Sequence, residues 1–156
     1  MSDVHQYIEI TDNTLALYGR FLPTESTRYY DRHGVMTGSG EIAVHTKFLD
    51  QCINYSSQFY WRAKRLTPFP NDISHCNMVH LFISEIPVYA NIDELKHSLM
   101  AEFSASHIET FHSYDGKFLG KCLVRMAYNE AKQLAKASFY YIKNEKFDIQ
   151  VRQIVM

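Results

Sequence analysis

Residues 81–86 read Leu81-Phe82-Ile83-Ser84-Glu85-Ile86, and residues 119–126 read Leu119-Gly120-Lys121-Cys122-Leu123-Val124-Arg125-Met126. Both stretches have the apolar character and the two-residue period of β-strands. Successive strand residues point to opposite faces, so Leu81, Ile83, Cys122 and Val124 are expected to enter a core. Phe82, Ser84, Lys121, Leu123 and Arg125 fall on the other face. Helix-like sequence separates the two stretches. Asn91 is a capping residue, and Asp93 and Glu94 suit the positive end of the helix dipole. Leu95, Leu99 and Phe103 then recur at a spacing of four, which predicts a buried stripe.

The pattern extends in both directions. Residues 78–86 form one apolar strand closed by Pro87. Residues 108–112 read as a strand, Tyr114-Asp115-Gly116-Lys117 as a hairpin turn, and residues 118–127 as the next strand. Asn129 starts a second helix whose small face is Ala131, Leu134, Ala135 and Ser138. Residues 143–146 read as polar loop, and residues 147–155 as a last strand with Phe147, Ile149 and Val151 alternating. The order strand, helix, strand, strand, helix, strand is the split βαβ arrangement of ferredoxin-like α+β folds. It predicts a four-stranded antiparallel sheet with two helices on one face and none on the other.

Residues from about 78 to 155 resemble the RNA recognition motif, or RRM, over half of the chain. The family's hexamer strand has an aromatic at its second position, and Phe82 stands there. Its octamer strand carries Gly second and aromatics third and fifth. Here Gly120 keeps the glycine, Leu119 replaces the basic first residue, and Lys121 and Leu123 occupy the aromatic positions. The resemblance implies that Phe82 stacks a base and that Lys121, Arg125 and Arg152 meet phosphates, with Ser84, Leu123 and Gln150 on the same surface. One stacked base contributes roughly 1–3 kcal/mol, so the two absent rings imply modest binding to single-stranded RNA. Leu123 on an open face points instead to a protein contact.

The first half reads differently. Residues 1–13 are polar with an apolar run at Tyr7, Ile8 and Ile10, a strand or a tail. Residues 14–22 are apolar enough for a buried strand, ended by Pro23. Residues 23–40, with Gly34, Gly38 and Gly40, read as loop with at most one helical turn. Residues 41–46 alternate as a strand, Thr46 is placed to cap a helix over 47–59, and residues 60–66 form a final strand. That last strand is the most basic stretch, where Trp61, Arg62, Lys64 and Arg65 would extend an RNA-binding surface. Pro68 and Pro70 mark a linker, with a boundary near Ser74. The expected domains are therefore 1–73, an α/β extension or shortened RRM-like unit, and 74–156, the RRM-like domain.

The chain has 156 residues, enough to bury a core unaided. Its net charge of −1 excludes a strongly basic footprint, so any nucleic-acid binding would rest on local patches and stacking. Cys52, Cys76 and Cys122 are odd in number and far apart, which argues against a disulfide framework and fits a reducing compartment. No window has the apolar length of a membrane span, and the N-terminus lacks a signal-peptide pattern. The expected location is intracellular, cytoplasmic or nuclear.

Enzymatic and metal chemistry find no constellation. His75, Cys76 and His80 are the tightest His/Cys cluster, yet they lack the paired spacing that zinc needs. Asp31-Arg32-His33-Gly34 has catalytic residue types but reads as a solvated loop, and alternation points Cys122 inward. Gly34, Gly38 and Gly40 lack the Lys and Ser/Thr of a phosphate loop. The sequence therefore implies no catalytic residue, metal or cofactor. It points to a non-enzymatic, modest binder of single-stranded RNA within a larger ribonucleoprotein complex. The alternative is a protein-interaction or dimerisation module on the same scaffold.

Overall fold

Among the described residues, strands and helices alternate along the chain, beginning with β1 (His5–Ile10) and ending with β10 (Gln150–Val155). The structure is a computed structural model, and it describes residues 5–10, 15–56, 63–69, 78–137, 139–142 and 145–155. The expected boundary near Ser74 and the cluster of His75 and Cys76 lie outside the described residues. The chain divides into two units. The first contains Met1–Leu66, His112–Gly116 and Val155–Met156, and the second contains Thr67–Phe111 and Lys117–Ile154.

In the first unit, β1 is followed by a 3-10 helix (Leu15–Phe21), β2 (Glu25–Tyr30), β3 (Met36–His45), α1 (Thr46–Ser56) and β4 (Ala63–Pro68). Residues 14–22 are thus not the expected strand. Tyr18 and Phe21, three apart, are both buried, and side chains at that spacing eclipse on one face of a 3-10 helix. Leu22, at φ 51°, ends the turn, and its N–H donates to the Gly19 carbonyl at 3.0 Å.

Residues 23–40 are not loop either, because they supply β2 and the start of β3. Asp31 makes the tight turn between them. Its Oδ1 accepts from His33 N–H at 2.8 Å and Val35 N–H at 3.0 Å. These amides hold the Asp31 carboxyl below its ordinary range, the Val35 bond having the largest effect. The apparent catalytic quartet is therefore an Asx-type turn.

β3 pairs antiparallel with both β1 and β2, and β1 pairs with β4, giving the order β4-β1-β3-β2. Helix α1 buries Leu49, Cys52 and Ser56. At its start the His45 Nδ1 accepts from Lys47 N–H at 3.1 Å. The core joins Tyr18, Phe21, Ile42, Val44, Leu49, Cys52 and Ala63. Burial raises the Cys52 thiol to about 12, outside the range of a reactive thiolate.

The second unit runs β5 (Met78–Ser84), α2 (Ile92–Phe103), β6 (His107–His112), β7 (Phe118–Ala127), α3 (Tyr128–Ala137), β8 (Phe139–Ile142), β9 (Glu145–Asp148) and β10. Its sheet order is β6-β7-β5-β10, the antiparallel ferredoxin-like arrangement. Asn91 caps α2 as expected, its Oδ1 accepting from Glu94 N–H at 3.2 Å. The helix ends at Ser104, φ 53°, whose N–H returns to the Leu99 carbonyl. Leu95 and Leu99 are buried, and Phe103 packs against the same core.

That core also contains Val79, Leu81, Ile83, Cys122, Val124, Met126, Ala131 and Leu134, all from the faces predicted to point inward. Cys122 is fully buried, and burial likewise raises its thiol to about 12. One correction concerns residues 139–148. Residues 139–142 and 145–148 pair as β8 with β9, where polar loop over 143–146 and the start of the last strand were expected. The last strand accordingly starts at Gln150.

Candidate nucleic-acid interface

The sheet face of the second unit that the helices leave uncovered is built around Phe82. The register places Leu123 of β7 and Arg152 of β10 directly opposite it. Directly opposed residues share a face, so these three side chains form one row. Phe111 of β6 stacks on Phe82 with ring centroids 6.1 Å apart and planes 25° from parallel. The Arg152 guanidinium lies over the Phe82 ring, its Cζ 5.2 Å from the centroid. Ser84 Oγ donates to Gln150 Oε1 at 3.1 Å in the neighbouring row.

This geometry corrects the expected openness of the face. Phe82 and Ser84 stand on the predicted side of β5, yet Phe82 is 0% and Ser84 4% exposed. Within the unit, Phe111 and Arg152 touch the Phe82 ring and Gln150 bonds Ser84. Lys121 and Leu123 are half-buried, Arg125 and Gln150 are exposed, and Arg152 is half-buried. Arg125 also anchors the start of β6, because Ser106 N–H donates to its carbonyl at 2.9 Å.

Of the expected basic patch in the first unit, Lys64 and Arg65 fall among the described residues. Trp61 and Arg62 lie outside the described residues. Lys64 is opposite Glu9, and Arg65 is opposite Ile8, so the two adjacent side chains take opposite faces. Glu9 is in turn opposite Glu41, and both are buried, at 3% and 4% exposure. Ile42 and Val44 belong to the helix-side core, so Glu41 and Glu9 occupy the other face. The two central strands of this sheet thus carry carboxylates where the second unit carries Phe82 and Leu123. The alternation in Ile8-Glu9-Ile10 and Glu41-Ile42-Ala43-Val44 contained that signal.

Two further residues of the second unit's face were missed by sequence reasoning. Phe111 is one, although Ile108 in the core already assigns residues of opposite parity to the other side. Glu109 is the other. Burial raises its pKa above the ordinary 4.5, with nearby His107 acting in the opposite direction. A raised carboxyl pKa means that the folded state holds the proton more tightly than the unfolded one. Its contribution to stability is present below the unfolded value and is lost as pH rises through the folded value. Glu109→Gln is therefore expected to raise the urea midpoint at pH 7, with the difference closing in acid below about 4.5.

The second unit has the ferredoxin-like α+β fold. Its element order and its sheet order decide this. The first unit has the corresponding strand order with the 3-10 helix in place of the first α-helix.

Among solved structures, the chain is similar to that in a Sxl-lethal protein/RNA complex. Identity is 15%, coverage is 96% of this chain and 99% of that one, and the TM-score is 0.41. It is also similar to the RNA-binding domain of Hrp1 in complex with RNA, at 13% identity, 96% coverage of both chains and a TM-score of 0.41. The first two RRM domains of yeast poly(U) binding protein Pub1 give 12% identity, 93% and 98% coverage, and a TM-score of 0.39. No family model and no curated protein sequence matches.

Among the described residues, no group of three or more His, Cys, Asp or Glu could hold a metal ion. No helix among them is long and apolar enough to cross a membrane.

Proposed function

We propose that the chain is a non-enzymatic RNA-binding protein that takes single-stranded RNA on the sheet face of its second unit and acts within a larger ribonucleoprotein complex. The observation that carries this reading is the aromatic and cationic cluster contributed by β5, β6 and β10: Phe82 with Phe111 stacked on it and Arg152 over it. Bases stack on such rings without a sequence requirement, and cations beside them meet phosphates. Lys121 and exposed Arg125 extend from β7 of the same sheet and supply the phosphate contacts.

The first unit plays a lesser part in this reading. The centre of its sheet face carries buried Glu9 and Glu41 and no aromatic ring at the positions of Phe82 and Leu123. RNA binding is accordingly assigned to the second unit, with Phe82 as the stacking residue.

Arg125→Ala separates this reading from adventitious adhesion. It is expected to weaken binding of a labelled single-stranded RNA and to lower the slope of log affinity against log salt by about 0.7, the value of one phosphate contact on a single strand. An unchanged slope would remove Arg125 from the interface.

A further inference from the structure

We infer that the exposed side of α3 is a docking groove for an acidic, extended peptide segment of a protein partner. The inference stands apart from RNA binding on the sheet face and goes beyond it. A groove of about 730 Å³ is lined, among the described residues, by Phe69, Asn129, Lys132, Gln133, Ala135 and Lys136. Ligand sites commonly enclose about 300–1,000 Å³.

Asn129, Lys132, Gln133 and Lys136 are spaced i, i+3, i+4 and i+7, so they form one stripe along the helix. All four are exposed, whereas Ala131 and Leu134 on the opposite side of α3 are buried in the core. The flank of the stripe is aromatic. Phe69 meets Tyr128 with ring centroids 5.6 Å apart, and Lys132 Nζ lies 5.7 Å from the Tyr128 centroid. Both rings pack against the core, which holds this wall in place.

Charge complementarity identifies the occupant. The groove presents two lysines and, among the described residues that line it, no carboxylate. An acidic ligand supplies the missing countercharge. Lys132 and Lys136 are one turn apart, with about 5–6 Å between their Cβ atoms. Alternate side chains of an extended peptide repeat at about 6.5–7 Å, so acidic residues at alternate positions match the two lysines. Apolar residues interleaved with them have Phe69 and Ala135 to pack on. Asn129 and Gln133 carry amides that both donate and accept, as the groups of a peptide backbone require. A nucleic-acid backbone would use only their donors, since its phosphates only accept.

The test uses the full chain and the fluorescein-labelled peptide Gly-Ser-Glu-Leu-Glu-Leu-Glu-Ser-Gly, with affinity measured by anisotropy. A comparison peptide has Lys in place of each Glu. The test variant combines Lys132→Glu with Lys136→Glu. The control combines Arg20→Glu with Lys47→Glu, the same change in charge at exposed positions of the first unit. Thermal melts confirm that both variants are folded. The wild type is expected to bind the acidic peptide with a Kd below about 1 mM and to leave the basic one unbound. Reversal at Lys132 and Lys136 is expected to weaken acidic-peptide binding about ten-fold and to let the basic peptide bind. The control should bind the acidic peptide as the wild type does.

Equal losses in the two variants would reduce the effect to net charge and overturn the groove. Failure of the wild type to bind the acidic peptide would overturn it as well. If that failure is joined by weaker binding of a labelled single-stranded RNA to the Lys132 and Lys136 variant, the stripe is a phosphate contact instead. Peptide binding without RNA binding defeats the RNA reading alone, and RNA binding without peptide binding defeats the groove alone.

Discussion

Gly120→Ala is expected to destabilise the protein by about 3 kcal/mol, the sum of a left-handed backbone cost of about 1–2 kcal/mol and an overpacking cost of about 1–3 kcal/mol. Gly120 sits inside β7 at φ 76°, where an L side chain is strained. A Cβ there would also run into the Ile86 carbonyl oxygen, which is backbone and has little room to give. The close approach has a structural purpose. The Ile86 N–H donates to the Gly120 carbonyl at 3.1 Å, tying the second residue beyond β5 to the start of the octamer stretch.

Gly38 provides the control. It has a φ of 83°, but a Cβ at that position would meet nothing within 4 Å, so Gly38→Ala should show the backbone cost alone. Urea denaturation of both variants, followed by circular dichroism, checks the comparison. Equal losses would mean that the Ile86 contact is without consequence.

Phe82→Ala is expected to cost about 3–5 kcal/mol, the range for deletion of a buried aromatic. The reason is the complete burial of Phe82, whose ring also meets Phe111 and Arg152. Phe82→Leu keeps most of the apolar volume and should cost less than about 1.5 kcal/mol. The two variants therefore separate folding from binding. If Phe82→Ala melts with the wild type, the ring does not have that packing role. If Phe82→Leu is stable yet binds RNA less well, stacking rather than stability is the function lost.

The second unit was legible because local and long-range signals agree there. Asn91 capping, the turn before Phe118 and the inward-facing Leu81, Ile83, Cys122 and Val124 all recur in the structure. The first half misled for physical reasons. Residues 14–22 form a short apolar run, which periodicity alone cannot assign to strand or helix. The glycines of residues 23–40 suggested loop, but Gly34 belongs to the Asp31 turn while Gly38 and Gly40 lie within β3. The register shift between Arg28 and Tyr30 further disguised the β2–β3 pair.

The face of Phe82 followed from alternation, whereas its burial did not. Its ring neighbours Phe111 and Arg152 are distant in sequence and reach Phe82 only through the sheet order. The same limit hid the acidic pair of Glu9 and Glu41. Each glutamate was visible in its strand, but their opposition appears only with the register.

The most direct test is anisotropy of a labelled single-stranded RNA pool titrated with the purified full chain at about 50 and about 200 mM salt. Saturable binding that weakens with salt, and that a stable Phe82→Leu variant reduces, is the predicted result. No binding at the lower salt would contradict the account and leave the sheet face of the second unit without an RNA-binding role.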